Sequence, residues 1–182
     1  MNTTMKNIRT TATALTLVAS AGFVFAAGSA TQNIAVSTTI TAKCTISTTA
    51  VAFGDYDPIT GNDVTTNGTV VVGCTKASTG LWVGLGEGAH YASGTRNLNG
   101  AASSDTLAYS LMQPTSNDAG SSSVCPAFGA GTPWANDAST ALNLSSPTSY
   151  ATRTYKVCGQ LAKAQDKSVD TYADTVVATI NF

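Results

Sequence analysis

Residues 30–46 read ATQNIAVSTTITAKCTI, and this stretch decides the class of fold. Ile34, Val36 and Ile40 stand at even positions, followed by Cys44 and Ile46, while polar residues fill most odd positions. A period of two in a threonine-rich run predicts extended β structure. The run covers 17 residues, whereas a strand usually has about 5–6. It therefore predicts either two strands in series or one strand preceded by an extension outside its own domain.

The same alternation returns in shorter runs along the chain. An Asn67-Gly68 pair between Val64–Thr66 and Thr69–Thr75 predicts a two-residue hairpin turn. Residues 112–149 are rich in Ser, Gly, Pro, Asn and Asp, which predicts long loops or a peripheral hairpin. Short strands separated by turns indicate an all-β antiparallel sandwich or barrel. Further alternating runs lie at residues 81–85, 107–111, 150–161 and 172–182.

The composition excludes several classes of protein. Charged residues make up 10% of the chain and the net charge is −1, so no basic surface is available to neutralise nucleic-acid phosphates. A single histidine, His90, and a single glutamate, Glu87, leave no set of residues for a catalytic acid, base and nucleophile. We therefore predict no enzyme activity, no cofactor and no metal. Asp55 and Asp57 form a carboxylate pair, but aspartates before Pro58 are also ordinary turn residues.

The N-terminus has the organisation of an export signal. Lys6 and Arg9 precede an apolar run from about Ala12 to Phe25, and Ala26 provides a small residue for a signal peptidase. The run is shorter than the about 20 residues that a membrane-spanning helix needs. We therefore predict that residues 1–26 are a signal peptide and that the mature chain begins at Ala27.

Four cysteines remain after this predicted cleavage, which in an exported protein indicates two disulfides. Four cysteines allow three pairings, and the alternation favours Cys44–Cys74 and Cys125–Cys158. Each bond would close a loop of roughly thirty residues, worth about 3–4 kcal/mol in the chain-entropy account.

The two ends of the mature chain have complementary features. A sandwich whose final strand ends at Phe182 without a closing strand would expose an apolar groove and unpaired backbone groups. The alternating residues Ile34, Val36, Thr38 and Ile40 are a natural complement, since an extended segment can complete the sheet of another subunit. Head-to-tail donation of this kind does not close on itself and builds a fibre. The alternative is that residues 27–41 form the ordinary first strand of a complete domain.

Several segments, which together cover nearly all of the mature chain, resemble one family. The segments are Lys43-Cys44-Thr45-Ile46, Phe53-Gly54-Asp55-Tyr56, Val72-Gly73-Cys74-Thr75, Leu107-Ala108-Tyr109-Ser110-Leu111 and the C-terminal run Tyr172–Phe182. They resemble the spore coat protein U domain, which includes subunits of archaic chaperone–usher pili, and they are similar to the major rod subunits of Csu-type biofilm pili. One departure is Asp170, which stands where the family often has glycine.

The resemblance implies an incomplete immunoglobulin-like sandwich that lacks its last strand and receives a donor strand from a neighbouring subunit. It implies a donor extension at residues 27–41, with Ile34, Val36, Thr38 and Ile40 as donor residues, and a pilin domain at residues 42–182. It also implies identical subunits joined head to tail, a periplasmic chaperone, an outer-membrane usher, minor or tip subunits, and a place on the cell surface in adhesion and biofilm formation. The implied acceptor edge, bound first by the chaperone, comprises Tyr172, Val176, Ala178, Ile180 and Phe182.

Other functions remain open on the residues alone. A self-contained secreted binding module would need a complete sandwich and an exposed Trp82 or Trp134 in a glycan pocket. A structural protein of the spore-coat type is a further alternative. A secreted hydrolase is disfavoured because His90 has no catalytic partners in the sequence pattern.

Overall fold

The computed structural model describes residues 27–182, and the predicted signal peptide at residues 1–26 lies outside them. Thr39–Phe182 forms one compact unit, and residues 27–38 lie outside that unit. Within the described part of the chain, no helix is long and apolar enough to cross a membrane. Its helical structure is a single 3-10 turn, Gly120–Ser122.

The compact unit contains nine strands arranged in two antiparallel sheets. In chain order the strands are β1 (Cys44–Thr49), β2 (Val64–Cys74), β3 (Trp82–Leu85), β4 (Arg96–Gly100), β5 (Thr106–Met112), β6 (Leu142–Asn143), β7 (Arg153–Leu161), β8 (Tyr172–Ala173) and β9 (Ala178–Asn181). The six-stranded sheet has the order β1-β2-β7-β5-β4-β8, and the three-stranded sheet has the order β6-β3-β9.

The core follows the alternation of the sequence. Buried residues alternate with half-buried ones along β2 and β5, as a strand with one face in a core requires. A fully buried Val, Leu or aromatic side chain contributes about 1.5–3 kcal/mol, so these rows stabilise the sandwich. The core side chains of the large sheet are Val70, Val72, Leu107, Tyr109, Leu111, Tyr155, Val157 and Leu161.

The hairpin predicted at Asn67-Gly68 is wrong, because β2 runs through both residues without a turn. Gly68 serves a different purpose here. A Cβ atom on Gly68 would lie 2.5 Å from the carbonyl oxygen of Thr49 and 2.8 Å from that of Ala50. The glycine therefore lets the chain leaving β1 cross close above β2.

The single strand predicted over residues 172–182 is also wrong, because the run contributes to both sheets. Tyr172–Ala173 pairs with β4 in the large sheet, whereas Ala178–Asn181 pairs with β3 in the small sheet. Residues 174–177 connect the two parts. The last run of the chain thus borders the sandwich where its two sheets meet.

The long loop predicted at residues 112–149 is present at residues 113–141 and is followed by the short strand β6, and Trp134 fixes the loop to the small sheet. The Trp134 side chain is fully buried, and its indole N–H donates to the carbonyl of Val83 at 2.7 Å. Trp134 is therefore a packing residue and not part of an exposed glycan pocket.

Two disulfides are present, Cys44–Cys74 and Cys125–Cys158, and these are the pairs that the alternation favours. The first bond joins directly opposed residues of β1 and β2. The second ties the loop at Cys125 to β7, and its Cys158 lies on the face of β7 opposite to the core residues Tyr155 and Val157.

Candidate functional site

A continuous unpaired backbone edge runs along residues 172–180. The carbonyls of Thr171, Thr175 and Val177 accept hydrogen bonds from Ala101, Ala89 and Gly86, all on one side of the chain. Because successive residues of an extended chain point their N–H and C=O groups to opposite sides, the even-numbered residues present theirs on the other side. No strand pairs with that side among the described residues. The edge is therefore free to accept a strand.

The side chains of this edge face the core. Tyr172, Val176, Ala178 and Ile180 are half-buried and pack against the core, whereas Phe182, at the end of the chain, is 57% exposed. The structure thus aligns four of the five predicted acceptor residues along one edge, with Phe182 beyond it.

A second unpaired edge faces the first. β1 pairs with β2 on one side alone, and it lies beside β9 without a ladder of hydrogen bonds joining the two. Beyond β1 the chain continues without a strand partner through residues 50–56. Val51 and Phe53 turn inward there: the Phe53 and Tyr109 rings lie 6.1 Å apart, and a Cβ on Gly159 would lie 2.5 Å from Val51 Cγ1. This segment forms the opposite wall of a groove.

Two cavities occupy the space between these walls. The first has a volume of about 380 Å³ and lies between residues 48–53 and residues 174–178. The second, of about 640 Å³, lies between residues 51–58 and residues 165–174. Val51, Phe53, Leu98 and Asp174 line both, so the two cavities form one groove. Core residues of the large sheet form its floor: Val70, Tyr109, Leu111 and Val157.

Asp174 lines this largely apolar groove, and its carboxylate is buried. Its side chain is 1% exposed. One oxygen accepts from the backbone N–H of His90 at 3.1 Å and lies 3.0 Å from His90 Nδ1, and the other accepts from the Tyr109 hydroxyl at 2.6 Å. Burial acts to raise the pKa of Asp174, but the hydrogen bonds that it accepts, first that of Tyr109, outweigh this and lower the pKa below its ordinary value.

Tyr109 shows the reverse effect. Burial, together with the hydrogen bond to Asp174, raises the pKa of the Tyr109 phenol well above its ordinary value. The pair therefore stays as neutral phenol and ionised carboxylate at neutral pH, and it fixes residue 174 at the point where the chain passes from one sheet to the other.

Tyr109→Phe is expected to lower the free energy of unfolding at neutral pH by about 1.5–3 kcal/mol, because a hydrogen bond to a charged acceptor is lost. In the wild type, the stabilisation linked to the raised pKa is complete below the unfolded-state value of about 10 and is lost as the pH rises towards the folded-state value. The variant should therefore lose less stability than the wild type above about pH 10. Part of the loss of stability at high pH remains in the variant, because burial also raises the pKa of Tyr155.

Urea unfolding at neutral pH and near pH 11 measures both effects. Tyr150→Phe is the matched control, since the Tyr150 side chain is 86% exposed, and it should follow the wild type. An alkaline loss of equal size in Tyr109→Phe and wild type would contradict the assignment.

The predicted donor residues lie in chain that belongs to no strand. Residues 27–43 form no strand and residues 27–42 are exposed, with Ile34 at 87%, Val36 at 91% and Ile40 at 82% exposure. Thr38 is exposed as well. Ile34, Val36 and Ile40 share one face of an extended segment, and all three are exposed to water. Exposed apolar side chains grouped on one face are typical of interaction sites.

The aspartate pair before Pro58 has a structural explanation. Asp57 accepts hydrogen bonds from the backbone N–H groups of Ile59 at 2.8 Å and Thr60 at 3.1 Å, which closes an Asx turn. These bonds, first that of the Thr60 side chain, lower the pKa of Asp57. Among the described residues, no group of three or more His, Cys, Asp or Glu side chains is placed to hold a metal ion.

Asp170, the residue that departs from the family pattern, also closes a turn. Its carboxylate accepts from the backbone N–H groups of Ser103 at 2.7 Å and Ala102 at 2.8 Å. These bonds lower the pKa of Asp170 to about 2. The side chain thus joins the loop before β8 to the loop after β4, at the end of the groove.

Comparison with known proteins agrees with this architecture. The chain is 31% identical to Protein U of Myxococcus xanthus over 198 residues, which covers 98% of this chain and all of the relative. It is similar in structure to a chain of the CsuC–CsuE chaperone–tip adhesion subunit pre-assembly complex from archaic chaperone–usher Csu pili of Acinetobacter baumannii. The TM-score is 0.52 at 17% identity, over 79% of this chain, and the match spans 41% of the other chain.

The structural likeness confirms the predicted fold class, an all-β, incomplete immunoglobulin-like sandwich of two antiparallel sheets. The model of the spore coat protein U domain matches residues 30–179. Taken with the relationship to Protein U, this match shows that the chain belongs to the spore coat protein U domain family.

Proposed function

We propose that this protein is a structural subunit of a surface pilus assembled by the chaperone–usher route. Residues 27–41 of one subunit fill the groove of the next, and residues 42–182 form the pilin domain. The observation that carries the proposal is the free edge at residues 172–180, which borders an apolar groove in a chain that also has an unpaired apolar segment. An acceptor and a donor in one polypeptide favour the repeating rod subunit over a terminal one.

The two elements fit each other in physical terms. An added strand pairs with the backbone groups that the edge leaves free, and its alternate side chains enter the groove. Burying Ile34, Val36 and Ile40 contributes about 1.5–3 kcal/mol for each side chain, before the cost of ordering the segment is subtracted. The joint is head to tail, so every added subunit presents a new groove.

An unfilled groove also explains the partners that we propose. An exposed apolar groove with a free edge invites aggregation before assembly, so a periplasmic chaperone is expected to cover residues 172–182 until an outer-membrane usher brings the next subunit. The similar Csu chain comes from a chaperone–subunit pre-assembly complex. The pilus would carry minor or tip subunits, stand on the cell surface and support adhesion and biofilm formation. The role is structural and not enzymatic.

A second candidate is a spore-coat type of structural protein, which the relationship to Protein U of Myxococcus xanthus favours. The same joint would then hold subunits of a coat layer together. Electron microscopy of the assembled material distinguishes the two, since a pilus gives thin fibres of constant width and a coat gives sheets or shells.

The test is the oligomeric state of the exported protein with and without residues 27–39, co-expressed with a matching periplasmic chaperone. We expect unboiled denaturing gels to show a ladder of polymers for the full chain and chaperone-bound monomers for the truncated one. Val36→Asp should act like the truncation, whereas the matched control Ser37→Asp, on the other face of the segment, should still polymerise. Well-folded monomers of both the full and the truncated chain without a chaperone would refute the proposal in favour of a self-contained binding module.

A further inference from the structure

The two ends of the compact unit carry opposite charges. Lys43, Lys76 and Arg153 lie at the end where β1 begins, because the start of β1, the end of β2 and the start of β7 are neighbours in the large sheet. Lys43 and Lys76 are exposed. We call this surface the basic end, because the segments that build it contain no acidic side chain: residues 43–46, 72–82 and 144–153.

The opposite end of the compact unit is acidic, and the larger cavity of the groove opens there. Asp55 and Asp170 line this cavity. Asp63 lies beside the same loops, since it accepts a hydrogen bond from the backbone N–H of Lys163 at 2.9 Å. Six aspartates and two lysines form this surface, which we call the acidic end: Asp55, Asp57, Asp63, Asp105, Asp166, Asp170, Lys163 and Lys167.

Each end also exposes large apolar side chains. At the basic end Tyr150 is exposed, and its carbonyl oxygen would lie 3.7 Å from a Cβ atom on Gly73, the neighbour of Cys74. At the acidic end Ile59 and Val169 are exposed. Val169 also lines the larger cavity. Exposed apolar residues surrounded by charged ones are typical of a protein–protein contact.

We propose that the basic end of one subunit contacts the acidic end of the subunit that receives its donor strand, with Tyr150 packed against Ile59 and Val169. This inference rests on the proposed function, and the partner is a second copy of this chain. The donor strand holds the two subunits together, whereas the end-to-end contact fixes the angle between them.

A short tether brings the two ends together. The backbone N–H of Lys43 donates to the Thr75 hydroxyl at 3.0 Å, and its carbonyl accepts from the Thr75 N–H at 2.9 Å, so Lys43 is fixed to its own domain. Between Lys43 and the last proposed donor residue, Ile40, stand Thr41 and Ala42. Since an extended chain spans at most about 3.6 Å per residue, Lys43 lies within about 11 Å of the site that Ile40 occupies.

The direction of the donor strand decides which ends meet. All seven strand pairings in the compact unit are antiparallel, and antiparallel ladders are slightly more stable per residue than parallel ones. An antiparallel donor places Ile40 near Tyr172, at the acidic end of the receiving subunit. A parallel donor would place Ile40 near Ile180, at the basic end, and would bring two basic ends together. Charge therefore favours the antiparallel arrangement.

Weak contacts are sufficient at this range. A single exposed ion pair contributes little, but a tether of two residues raises the effective concentration of one end for the other to roughly the millimolar range. Dissolved salt screens exposed charges, whereas it leaves the apolar burial of the donor strand in place. Salt should therefore loosen the angle between subunits without breaking the joint, so the contour length of the fibre stays the same.

The persistence length of assembled fibres, measured on electron micrographs, tests the contribution of charge. Lys76→Glu should shorten the persistence length at least about twofold at low ionic strength, because it removes the positive excess of the basic end. Lys156→Glu is the matched control: it changes the net charge equally but lies within β7, between the two ends, and should match the wild type. At high ionic strength the wild type should approach the Lys76→Glu variant.

Disulfide trapping in assembled polymers tests the contact directly. The described part of the chain has no free cysteine, so an introduced pair reports on the contact alone. Tyr150→Cys together with Val169→Cys should give covalent ladders on boiled non-reducing gels after mild oxidation, because a disulfide needs the two residues to lie side by side. The ladder should be at least about tenfold stronger than that of Tyr150→Cys with Val124→Cys, an exposed residue of the peripheral loop.

The outcomes separate this contact from the proposed function. A persistence length of Lys76→Glu equal to that of the wild type at low ionic strength would overturn the role of charge. Equal ladders from the two cysteine pairs, or no ladder in polymers of either, would overturn the end-to-end contact itself. Failure of the wild-type chain to polymerise would instead count against the proposed function.

Discussion

A domain that carries residues 30–42 fused behind Phe182, in place of its own N-terminal extension, is expected to fold as a stable monomer without a chaperone. A loop of about four residues after β9 would let the fused segment return as a β-hairpin, antiparallel to the free edge. The fusion fills the groove in its own molecule, so each of three buried aliphatic residues adds about 1.5–3 kcal/mol before ordering costs. Because the fused chain has neither a free groove nor a free donor, it should not polymerise.

Equilibrium unfolding in guanidinium and light scattering measure these two properties. The fusion with Val36→Asp should unfold at a much lower denaturant concentration, whereas the fusion with Ser37→Asp should match the parent fusion. Equal midpoints for the fusion and for a domain without any donor would show that the groove needs no strand.

Removal of the Cys44–Cys74 disulfide by Cys44→Ala with Cys74→Ala is expected to have the second largest effect. The bond spans 30 residues, and its loss should cost about 3–4 kcal/mol of unfolding free energy by loop closure. It also releases the start of β1, which has a strand partner on one side alone and forms part of a groove wall. Assembly should therefore suffer along with stability.

Cys125–Cys158 provides a matched control. It spans 33 residues, so loop closure makes its removal cost nearly the same unfolding free energy. It fixes a peripheral loop to β7, however, whereas Cys44–Cys74 holds the start of β1, whose last two residues line the smaller cavity. We expect comparable losses of stability in the two double variants, measured by denaturant unfolding of the self-filled fusion, and a marked loss of polymerisation for Cys44–Cys74 alone. Equal polymerisation of the two would contradict a role for β1 in the groove.

The sequence predicted those strands whose side chains alternate. The core-facing Val70, Val72 and Leu111 could be read from the period of two, because burial of one face of a strand demands that pattern. Strand β4, Arg96–Gly100, was not predicted, because its residues are mostly polar and show no alternation. Its extended structure depends on pairing with β5 and β8. Arg96 shows this, since its guanidinium donates to the carbonyls of Leu85, Gly86 and Trp134.

Long-range contacts account for the errors. Asn67-Gly68 has the composition of a turn, but the crossing of Thr49 and Ala50 above Gly68 is a contact that no local pattern encodes. The break in the last run depends on Asp174 and its bond to Tyr109, which stands 65 positions away. Parity predicted that the acceptor residues share a face, and four of the five lie along one edge, whereas nothing in the alternation signalled the buried carboxylate of Asp174 between them.

Residues 27–41 contain no charged side chain. A joint formed by this segment would be held by apolar burial and backbone hydrogen bonds, so dissolved ions have no ion pair across it to screen. Salting-out anions such as sulfate strengthen apolar burial. Fibres linked in this way would keep their length when the surrounding water turns from fresh to saline, a change that weakens assemblies held by opposite charges.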